Sequence, residues 1–236
     1  MTDEAIILAG GLGTRLQGVL RNVPKPLAPV AGRPFLAWLL DRLAEQGMRR
    51  VVLATGHLAE QVETALGDRW RDMLLEYSRE LRPLGTGGAI ALAAQRVRGD
   101  AFFVLNGDTE LQLDYMDFDR HAASSGARLG VALAKVPDTA RYGAVRVERG
   151  HVAGFSEKGR AGAGYINAGV YRLQRSLLDN YAKAEAFSFE HEVLVPAVQH
   201  EPVIAYTHTS GFIDIGVPED YRRAQVLFAA RMGDTA

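Results

Sequence analysis

Two aspartates in this sequence have a setting suited to holding a cation. Asp108 follows an apolar run and the small pair Asn106-Gly107, and Asp214 lies in a second short apolar segment. A carboxylate among apolar residues is costly to bury unless it is paired or coordinates a cation. Because magnesium is commonly held by one or two carboxylates together with substrate phosphates, we expect Asp108 and Asp214 to bind Mg²⁺. The alternative is a turn or helix cap at Asp108 and a helix start near Asp214.

A glycine-rich loop, Gly10-Gly11-Leu12-Gly13-Thr14-Arg15-Leu16, follows the first apolar run. Glycines let the backbone approach a ligand closely, and their N–H groups can form an anion-binding concavity. Arg15 and Lys25 add positive charge suited to phosphate oxygens. The dinucleotide and P-loop motifs both fail, because Leu16 and Val19 stand where glycine and lysine are required. We therefore expect a phosphate site of another kind, with a tight turn and solvated cations as the alternative.

Alternating strand and helix patterns in the first half predict a mostly parallel sheet covered on both sides. The predicted strands are 5–9, 51–54, 74–77 and 101–105. The predicted helices run from Pro34 to Gly47, over 59–66 and over about 87–97. Ligands bind beyond the carboxyl ends of the strands in such sheets, so the glycine loop and Asp108 are expected at one edge.

The second half is richer in strand patterns. The predicted strands are 129–134, 143–148, 151–156, 165–173 and 212–215, and a helix is expected from Pro218 to about Ala230. The segments 143–148 and 151–156 are expected to pair through Arg149-Gly150. Since no linker or repeat divides the chain, we predict one domain with a substrate-binding half built onto a nucleotide-binding half.

Composition excludes several classes of function. The chain has 236 residues, 47% of them apolar and 23% charged, with 27 Lys+Arg against 28 Asp+Glu and no Cys. A net charge of -1 argues against nucleic acid as a partner, and the lack of Cys excludes zinc-thiolate, Fe–S and thiol chemistry. No apolar run approaches the roughly 20 residues that span a membrane. The acidic N-terminus is unlike a signal peptide, so a cytoplasmic location is expected.

Motifs along almost the whole chain resemble those of the sugar-phosphate nucleotidyltransferases, also called nucleotide-sugar pyrophosphorylases. The resemblance implies an α/β, Rossmann-like three-layer fold with a mostly parallel central sheet and without the β-helix extension that many relatives carry. It divides the single domain, 1–236, into a nucleotide-binding half of about 1–110 and a sugar-phosphate-binding half of about 111–236. The matching segments are 8–16, 24–27, 84–89, 106–108, 155–158, 165–171 and 212–216.

The resemblance also implies a reaction. A nucleoside triphosphate and a sugar 1-phosphate would give a nucleotide-sugar and pyrophosphate, with Mg²⁺ as the cofactor. The details are most similar to D-glycero-D-manno-heptose 1-phosphate guanylyltransferases, which implies GTP, a heptose 1-phosphate and capsule or lipopolysaccharide biosynthesis. The alternatives are a uridylyl- or thymidylyltransferase acting on another hexose or amino-sugar 1-phosphate, and a non-catalytic relative that senses nucleotide-sugars. The oligomeric state stays open, a homo-oligomer included.

Site residues follow from the same motifs. Arg15, Lys25 and Asp108 are expected to be catalytic, and Asp108 and Asp214 to hold the metal. The expected nucleotide-binding residues are Ala9, Gly10, Gly11, Gly13, Thr14, Arg15, Lys25, Glu80, Gly85, Thr86 and Gly87. The expected sugar-phosphate residues are Gly143, Glu157, Lys158, Asn167 and Gly169.

Three of these expectations have plain structural alternatives. Glu80 precedes the second glycine loop, and a carboxylate there can accept hydrogen bonds from the N1–H and N2–H₂ donors of guanine together. It can equally pair with Arg79 or Arg82 at the surface. A solvated charged pair is the alternative for Glu157-Lys158, and a β-bulge for Asn167 and Gly169.

Overall fold

A large mixed β-sheet runs through the molecule, and helices pack on both of its faces. The computed structural model describes residues 2–11, 23–156, 158–159, 161–181 and 186–233. The strands are β1 (Glu4–Leu8), β2 (Pro29–Val30), β3 (Arg33–Pro34), β4 (Arg50–Thr55), β5 (Arg69–Trp70), β6 (Met73–Arg79), β7 (Ala101–Asn106), β8 (Thr109–Leu113), β9 (Leu129–Val136), β10 (Val145–Glu148), β11 (His151–Phe155), β12 (Gly164–Gln174), β13 (Val203–Tyr206) and β14 (Thr209–Asp214).

The helices lie between these strands. They are α1 (Phe35–Glu45), α2 (Ala59–Leu66), α3 (Gly85–Ala93), α4 (Tyr115–Ser124), α5 (Val195–His200) and α6 (Pro218–Gly233). Short 3₁₀ turns cover Lys25–Leu27 and Arg175–Leu178, and a π-helical segment, Phe189–Leu194, leads into α5. No helix in these described ranges is both long enough and apolar enough to cross a membrane.

The strand order in the main sheet is β10-β11-β13-β9-β12-β7-β1-β4-β6-β5. All of these strands except β5, β11 and β12 run in the same direction. The expected α/β, Rossmann-like class with a mostly parallel sheet is therefore confirmed. The predicted pairing of 143–148 with 151–156 is also present, as the antiparallel pair β10–β11. A separate two-stranded ribbon, β8–β14, lies beside the main sheet.

The central strands are buried on both faces, which explains their continuous apolar runs. In β1, Ile7 belongs to the core shared with α1, α4 and α6. Its neighbour Ile6 belongs to the opposite core, shared with α3 and α5. Successive residues of a strand point to opposite faces, so one strand supplies both cores and gives three layers.

Local signals place most of the helix ends. Helix α1 begins after Pro34, buries its leucine face and ends before Gly47, which has φ +83°. Helix α2 covers 59–66, as predicted. Helix α3 covers Gly85–Ala93 and so begins and ends earlier than the predicted 87–97. After Ala93 the chain continues as a turn, in which the Arg96 N–H donates to the Ala93 carbonyl oxygen over 2.9 Å.

The elements that were not predicted are β8, α4, α5 and β13, together with the two-residue strands β2, β3 and β5. Helix α4 nevertheless carries a recognisable start, because the Asp114 carboxylate accepts the Asp117 N–H over 2.9 Å as an N-cap. Strands β8 and β13 depend on partners far along the chain, β14 and β9, so their short patterns say little by themselves.

Candidate active site

A cavity of about 840 Å³ opens at the carboxyl edge of the parallel strands. Its walls come from the ends of β1, β4 and β7, where Gly10 and Gly11, Gly56 and His57, and Asn106 to Asp108 follow the three strands. This is where a doubly wound sheet is expected to bind its ligand. The cavity is large enough for a nucleotide-sized molecule.

The first glycine loop begins on the cavity wall. Ala9 is buried, and its N–H donates to the Ala54 carbonyl oxygen over 2.8 Å, which anchors the end of β1. Gly10 and Gly11 come next and line the cavity. A Cβ on Gly10 would lie 3.0 Å from Glu80 Oε1, so glycine at this position lets the loop lie against that carboxylate. The expected site residues Gly13, Thr14 and Arg15 lie outside the described residues.

Lys25 projects into the same cavity from a short proline-flanked turn. Pro24 and Pro26 restrict the backbone on either side, and the Lys25 side chain is only 12% exposed. Its Nζ forms an ion pair with Asp108 Oδ2. The structure therefore brings together two of the three residues that were expected to be catalytic.

Asp108 lies directly before β8, and Asp214 is the last residue of β14, the partner strand in the ribbon. Asp214 is the register partner of Thr109, and the Ile215 N–H donates to the Asp108 carbonyl oxygen over 2.9 Å. Burial raises the pKa of the Asp214 carboxyl, and the charge of Asp108 raises it further, while Lys25 acts in the opposite direction. The pair is therefore a partly buried acidic site that a cation stabilises.

Gly216 allows these groups to converge. Its N–H donates to Asp214 Oδ1 over 2.6 Å. A Cβ at this position would lie 2.7 Å from Asp214 Oδ1 and 3.2 Å from Lys25 Nζ, so a larger residue would push the ammonium and the carboxylate apart.

The second glycine loop forms another wall of the cavity. Gly85, Thr86 and Ala89, in the first turns of α3, line it. Gly87 is placed differently: it is buried behind the loop, where its N–H donates to the Phe187 carbonyl oxygen over 3.0 Å. A Cβ on Gly87 would overlap the Phe187 ring, so this glycine serves packing, and it is not among the described residues that line the cavity.

Glu80 occupies the wall between the two loops. Its Oε2 accepts the Leu84 N–H over 3.1 Å, and a Cβ on Gly56 would lie 2.5 Å from its Oε1. Burial raises the pKa of Glu80, against the lowering effect of the Leu84 hydrogen bond. Arg79, one of the surface partners considered for Glu80, instead pairs with Glu60 over 3.1 Å. Glu80 thus faces the cavity, as base recognition would require.

Asn167 and Gly169 form the expected alternative, a β-bulge in β12. The register with β9 shifts between Asn167 and Val170. Asn167 Oδ1 accepts the Gly169 N–H over 3.0 Å, and its Nδ2 donates to the Tyr171 hydroxyl over 2.9 Å. Gly169 has φ +71°, and a Cβ there would overlap the Asn106 side chain. The bulge therefore lets β12 approach Asn106, which lines the cavity.

The other expected sugar-phosphate residues lie in two adjoining loops. Gly143 is buried at φ +84°, and its N–H donates to the Thr139 carbonyl oxygen over 2.9 Å. Lys158 is exposed in the turn after β11. This turn is bonded to the loop that contains Gly143, because the Gly159 N–H donates to the Ala140 carbonyl oxygen over 2.8 Å. Glu157 lies outside the described residues. Neither Gly143 nor Lys158 is among the described residues that line the cavity.

Arg141 was missed by the sequence analysis. Its guanidinium pairs with the buried carboxylate of Asp220 in the first turn of α6 and lies 4.0 Å from Asp214 Oδ2. It also stacks over the Tyr142 ring at 4.5 Å. An arginine in a polar loop looks like any surface residue, and only the packing of α6 against this loop brings it to the acidic pair.

Comparison with known proteins agrees with this geometry. A family model described as nucleotidyl transferase matches residues 4–231. The D-glycero-alpha-D-manno-heptose 1-phosphate guanylyltransferase of Aneurinibacillus thermoaerophilus is 40% identical over 223 residues, which cover 94% of this chain and 96% of the relative. The protein of the same description from Campylobacter jejuni is 39% identical, with 92% and 96% covered.

Solved structures show the same fold. The crystal structure of HddC from Yersinia pseudotuberculosis complexed with GMP-PN is 36% identical in sequence and has a TM-score of 0.84, with 96% of this chain and 100% of that chain covered. The UTP-bound UGPase from Acinetobacter baumannii, 22% identical with a TM-score of 0.77 and coverage of 97% and 93%, shares the fold alone.

Proposed function

The chain belongs to the nucleotidyl transferase family, and we propose that it transfers a guanylyl group from GTP to D-glycero-α-D-manno-heptose 1-phosphate, giving GDP-heptose and pyrophosphate. Its relatives of 40% and 39% identity are sugar-1-phosphate guanylyltransferases that match almost the whole chain. The chain is accordingly a nucleotidyltransferase that makes nucleotide-sugars.

One observation carries this proposal: Lys25, Asp108 and Asp214 converge beside a nucleotide-sized cavity bounded by two glycine loops. A protein that only sensed nucleotide-sugars would not need a buried ammonium and two carboxylates at the same point. Their arrangement supports catalysis on a phosphate rather than binding alone.

The reaction is an in-line exchange at the α-phosphorus of GTP. An oxygen of the sugar 1-phosphate forms a bond to that phosphorus while the bond to the bridging oxygen of the β-phosphate breaks, and pyrophosphate leaves with the electron pair. The sugar phosphate is already an anionic nucleophile, so a general base is not required. The protein must hold two polyanions together and offset their repulsion.

In this proposal Lys25 binds the phosphates of GTP and stabilises the charge that develops on the departing pyrophosphate. It is well placed for this, because its side chain is mostly buried and held between the proline-flanked turn and Asp108. Gly10, Gly11 and Gly85 leave backbone room for the nucleotide. Arg15, Gly13 and Thr14 complete the phosphate loop as predictions from the sequence.

The oxygen donors of Asp108 and Asp214 fit a hard divalent cation, and we assign Mg²⁺ to them. The fit rests on two neighbouring carboxylates, one of them partly buried with a raised pKa. When bound, the ion would neutralise phosphate charge and help to orient the reactants. Asp108 holds Lys25 toward the same point, so the residues that bind the metal also position the ammonium.

The sugar phosphate is assigned to the side of the site formed by Gly143, Glu157, Lys158, Asn167 and Gly169. Lys158 would bind the phosphate of the incoming sugar, and Glu157 would accept hydrogen bonds from sugar hydroxyls. In Lys158→Ala, use of the sugar 1-phosphate should weaken while calorimetry with a non-hydrolysable GTP analogue stays nearly unchanged. Equal losses for both ligands would contradict a separate sugar site.

A substrate matrix tests the function directly. Four nucleoside triphosphates are combined with a panel of hexose, amino-sugar and heptose 1-phosphates, with Mg²⁺, and pyrophosphate release is measured. We expect the largest kcat/KM for GTP with D-glycero-α-D-manno-heptose 1-phosphate. A preference for UTP or dTTP would replace the guanylyl assignment, and binding of nucleotide-sugar without any turnover would identify a sensing protein.

Other features complete the proposal. The chain acts as a single domain, 1–236, in the cytoplasm, and serves the biosynthesis of a capsule or lipopolysaccharide polysaccharide. Measuring its mass in solution would show whether the chain forms a homo-oligomer. Neither nucleic acid nor a membrane is a proposed partner.

A further inference from the structure

A cluster of two histidines and one aspartate lies on the surface away from the cavity. Asp117 and His121 are four residues apart on α4 and so share one helix face. His208 comes from the short connection between β13 and β14. One ligand atom from each of the three residues lies within 4.8 Å of the other two. We name these three residues the Asp117 cluster.

The spacing within the Asp117 cluster suits a transition metal. His121 Nδ1 and His208 Nδ1 lie 3.4 and 3.6 Å from Asp117 Oδ2. Two ligands that are each about 2.1 Å from an ion at the tetrahedral angle are about 3.4 Å apart. Both histidines are therefore already at a suitable distance from the carboxylate oxygen, and the ligand atoms of the two rings, which lie within 4.8 Å of each other, would need to move closer together.

Neighbouring groups hold the carboxylate for this role. The Tyr206 hydroxyl donates to Asp117 Oδ2 over 3.0 Å, and its ring stacks on Phe118 with centroids 4.7 Å apart. The hydrogen bond from this hydroxyl is the main reason why the pKa of the Asp117 carboxyl lies below its usual range. Arg120 binds the other oxygen, Oδ1, over 3.0 Å, which leaves Oδ2 facing the two rings. Outer partners of this kind orient metal ligands.

One hydrogen bond must change when an ion binds. His121 Nδ1 lies 3.0 Å from the Asp117 backbone oxygen, a contact that orders the ring in the absence of an ion. Since one nitrogen cannot carry a proton and an ion together, binding at Nδ1 moves the proton to Nε2. Binding an ion therefore breaks one exposed hydrogen bond, and the three side chains form bonds to the ion in its place.

From this geometry we propose that Asp117, His121 and His208 form a site for a divalent transition-metal ion, with Zn²⁺ as the preferred occupant and water as a fourth ligand. Two imidazole nitrogens and one carboxylate are typical Zn²⁺ ligands, whereas Mg²⁺ prefers oxygen alone. The site is separate from the one formed by Asp108 and Asp214, because His208 lies just before the start of β14 and Asp214 lies at its other end, six residues further along the chain.

A bound ion would stabilise the fold by connecting two elements. The ion joins α4 to the start of β14, the strand whose other end carries Asp214. An ion that binds the folded chain more tightly than the unfolded chain raises its stability by mass action. This inference is independent of the proposed function, because metal binding here is measured without substrate.

The test is a calorimetric titration of metal-stripped protein with Zn²⁺ in a large excess of Mg²⁺, which keeps Asp108 and Asp214 occupied. We expect one Zn²⁺ per chain and a rise in Tm. His121→Ala and His208→Ala should each weaken binding at least about 10-fold and abolish the rise, because each removes a ligand. Tyr206→Phe, which keeps the ring, should weaken binding by about 10- to 100-fold through the outer partner alone.

Matched controls locate the ion. His200→Ala removes an exposed histidine at the end of α5 and should bind Zn²⁺ like the wild type. Asp214→Asn should also leave this binding unchanged. Zn²⁺ binding that survives in both His121→Ala and His208→Ala, or that disappears only in Asp214→Asn, would overturn the proposal, as would a failure of the wild type to bind Zn²⁺.

Discussion

Asp214 lies beside Asp108 across the β8–β14 ribbon, although 106 positions separate them in the chain; the Ile215 N–H donates to the Asp108 carbonyl oxygen over 2.9 Å. The ribbon thus sets the separation of the two carboxylates through backbone hydrogen bonds rather than through flexible side chains. Lys25, paired with Asp108, completes a site whose members come from three distant segments.

Removing either carboxylate charge should impair catalysis more than folding. In Asp108→Asn and Asp214→Asn we expect kcat at limiting Mg²⁺ to fall by about two orders of magnitude or more, because metal stabilisation of phosphate charge is worth several kcal/mol. Asp72→Asn, at an exposed position, is the control. Near-wild-type kcat in a folded variant would show that its aspartate does not bind the metal.

Lys25→Ala should lower kcat more than it lowers nucleotide affinity. Charge on the leaving pyrophosphate grows along the reaction, and losing one such contact costs on the order of 3–4 kcal/mol, or roughly 10²–10³ in rate. Steady-state kinetics and nucleotide binding, measured side by side, separate the two effects. A variant that raises only the KM for GTP would contradict a role in the transition state. The same outcome is expected for Arg15→Ala.

Glu80→Gln should reduce the preference for GTP. The substitution keeps the size but places an amide N–H₂ where the guanine donors need an acceptor. A mismatched buried hydrogen bond costs roughly 1–3 kcal/mol, about 5- to 150-fold. The measurement is kcat/KM for GTP relative to UTP, ATP and dTTP. An undiminished preference would assign base recognition to the backbone of the glycine loops.

The same substitution should change the pH dependence of stability in the absence of nucleotide. Because burial raises the pKa of folded Glu80 above its ordinary value of 4.5, ionisation costs stability as pH rises through this window. Glu80→Gln has no such cost, so its Tm relative to the wild type should increase from acid toward neutral pH and then level off. Thermal unfolding at a series of pH values checks this, and a gap that shrinks with rising pH would contradict it.

Arg141→Gln should raise the KM for the sugar 1-phosphate. The Arg141 guanidinium lies 4.0 Å from Asp214, and we expect it to bind a phosphate oxygen of the sugar substrate from this position. A charged hydrogen bond is worth about 1.5–3 kcal/mol, so its loss should raise the KM about 10-fold or more. Arg223→Gln is the matched control, because Arg223 also pairs with Asp220, at 3.3 Å, but otherwise contacts the Phe212 backbone oxygen. An equal rise in KM in both variants would show that the effect comes from the lost pairing with Asp220.

Local patterns were sufficient for much of the fold. The apolar runs that became β1, β4 and β7, and the leucine face of α1, are buried in the sheet cores, so their composition alone indicated their structure. Strands β8 and β13 were not found, because each is stabilised by a partner about 70 to 100 residues away and has few residues of its own. The amide-and-glycine pair Asn167 and Gly169 indicated either a sugar contact or a bulge; β12 contains the bulge, and the sugar contact stays a prediction.

By itself the sequence determined the family, the glycine loops and the acidic and basic residues of the candidate site, since these depend on residue types at short spacings. Only the tertiary structure decided which of them meet. It placed Gly87 against Phe187 rather than on the cavity wall, turned Glu80 toward Gly10 and Gly56, and brought Arg141 to Asp214. The physical reason is that these contacts join segments remote in sequence, and their geometry is set by strand register and helix packing rather than by local conformational preference.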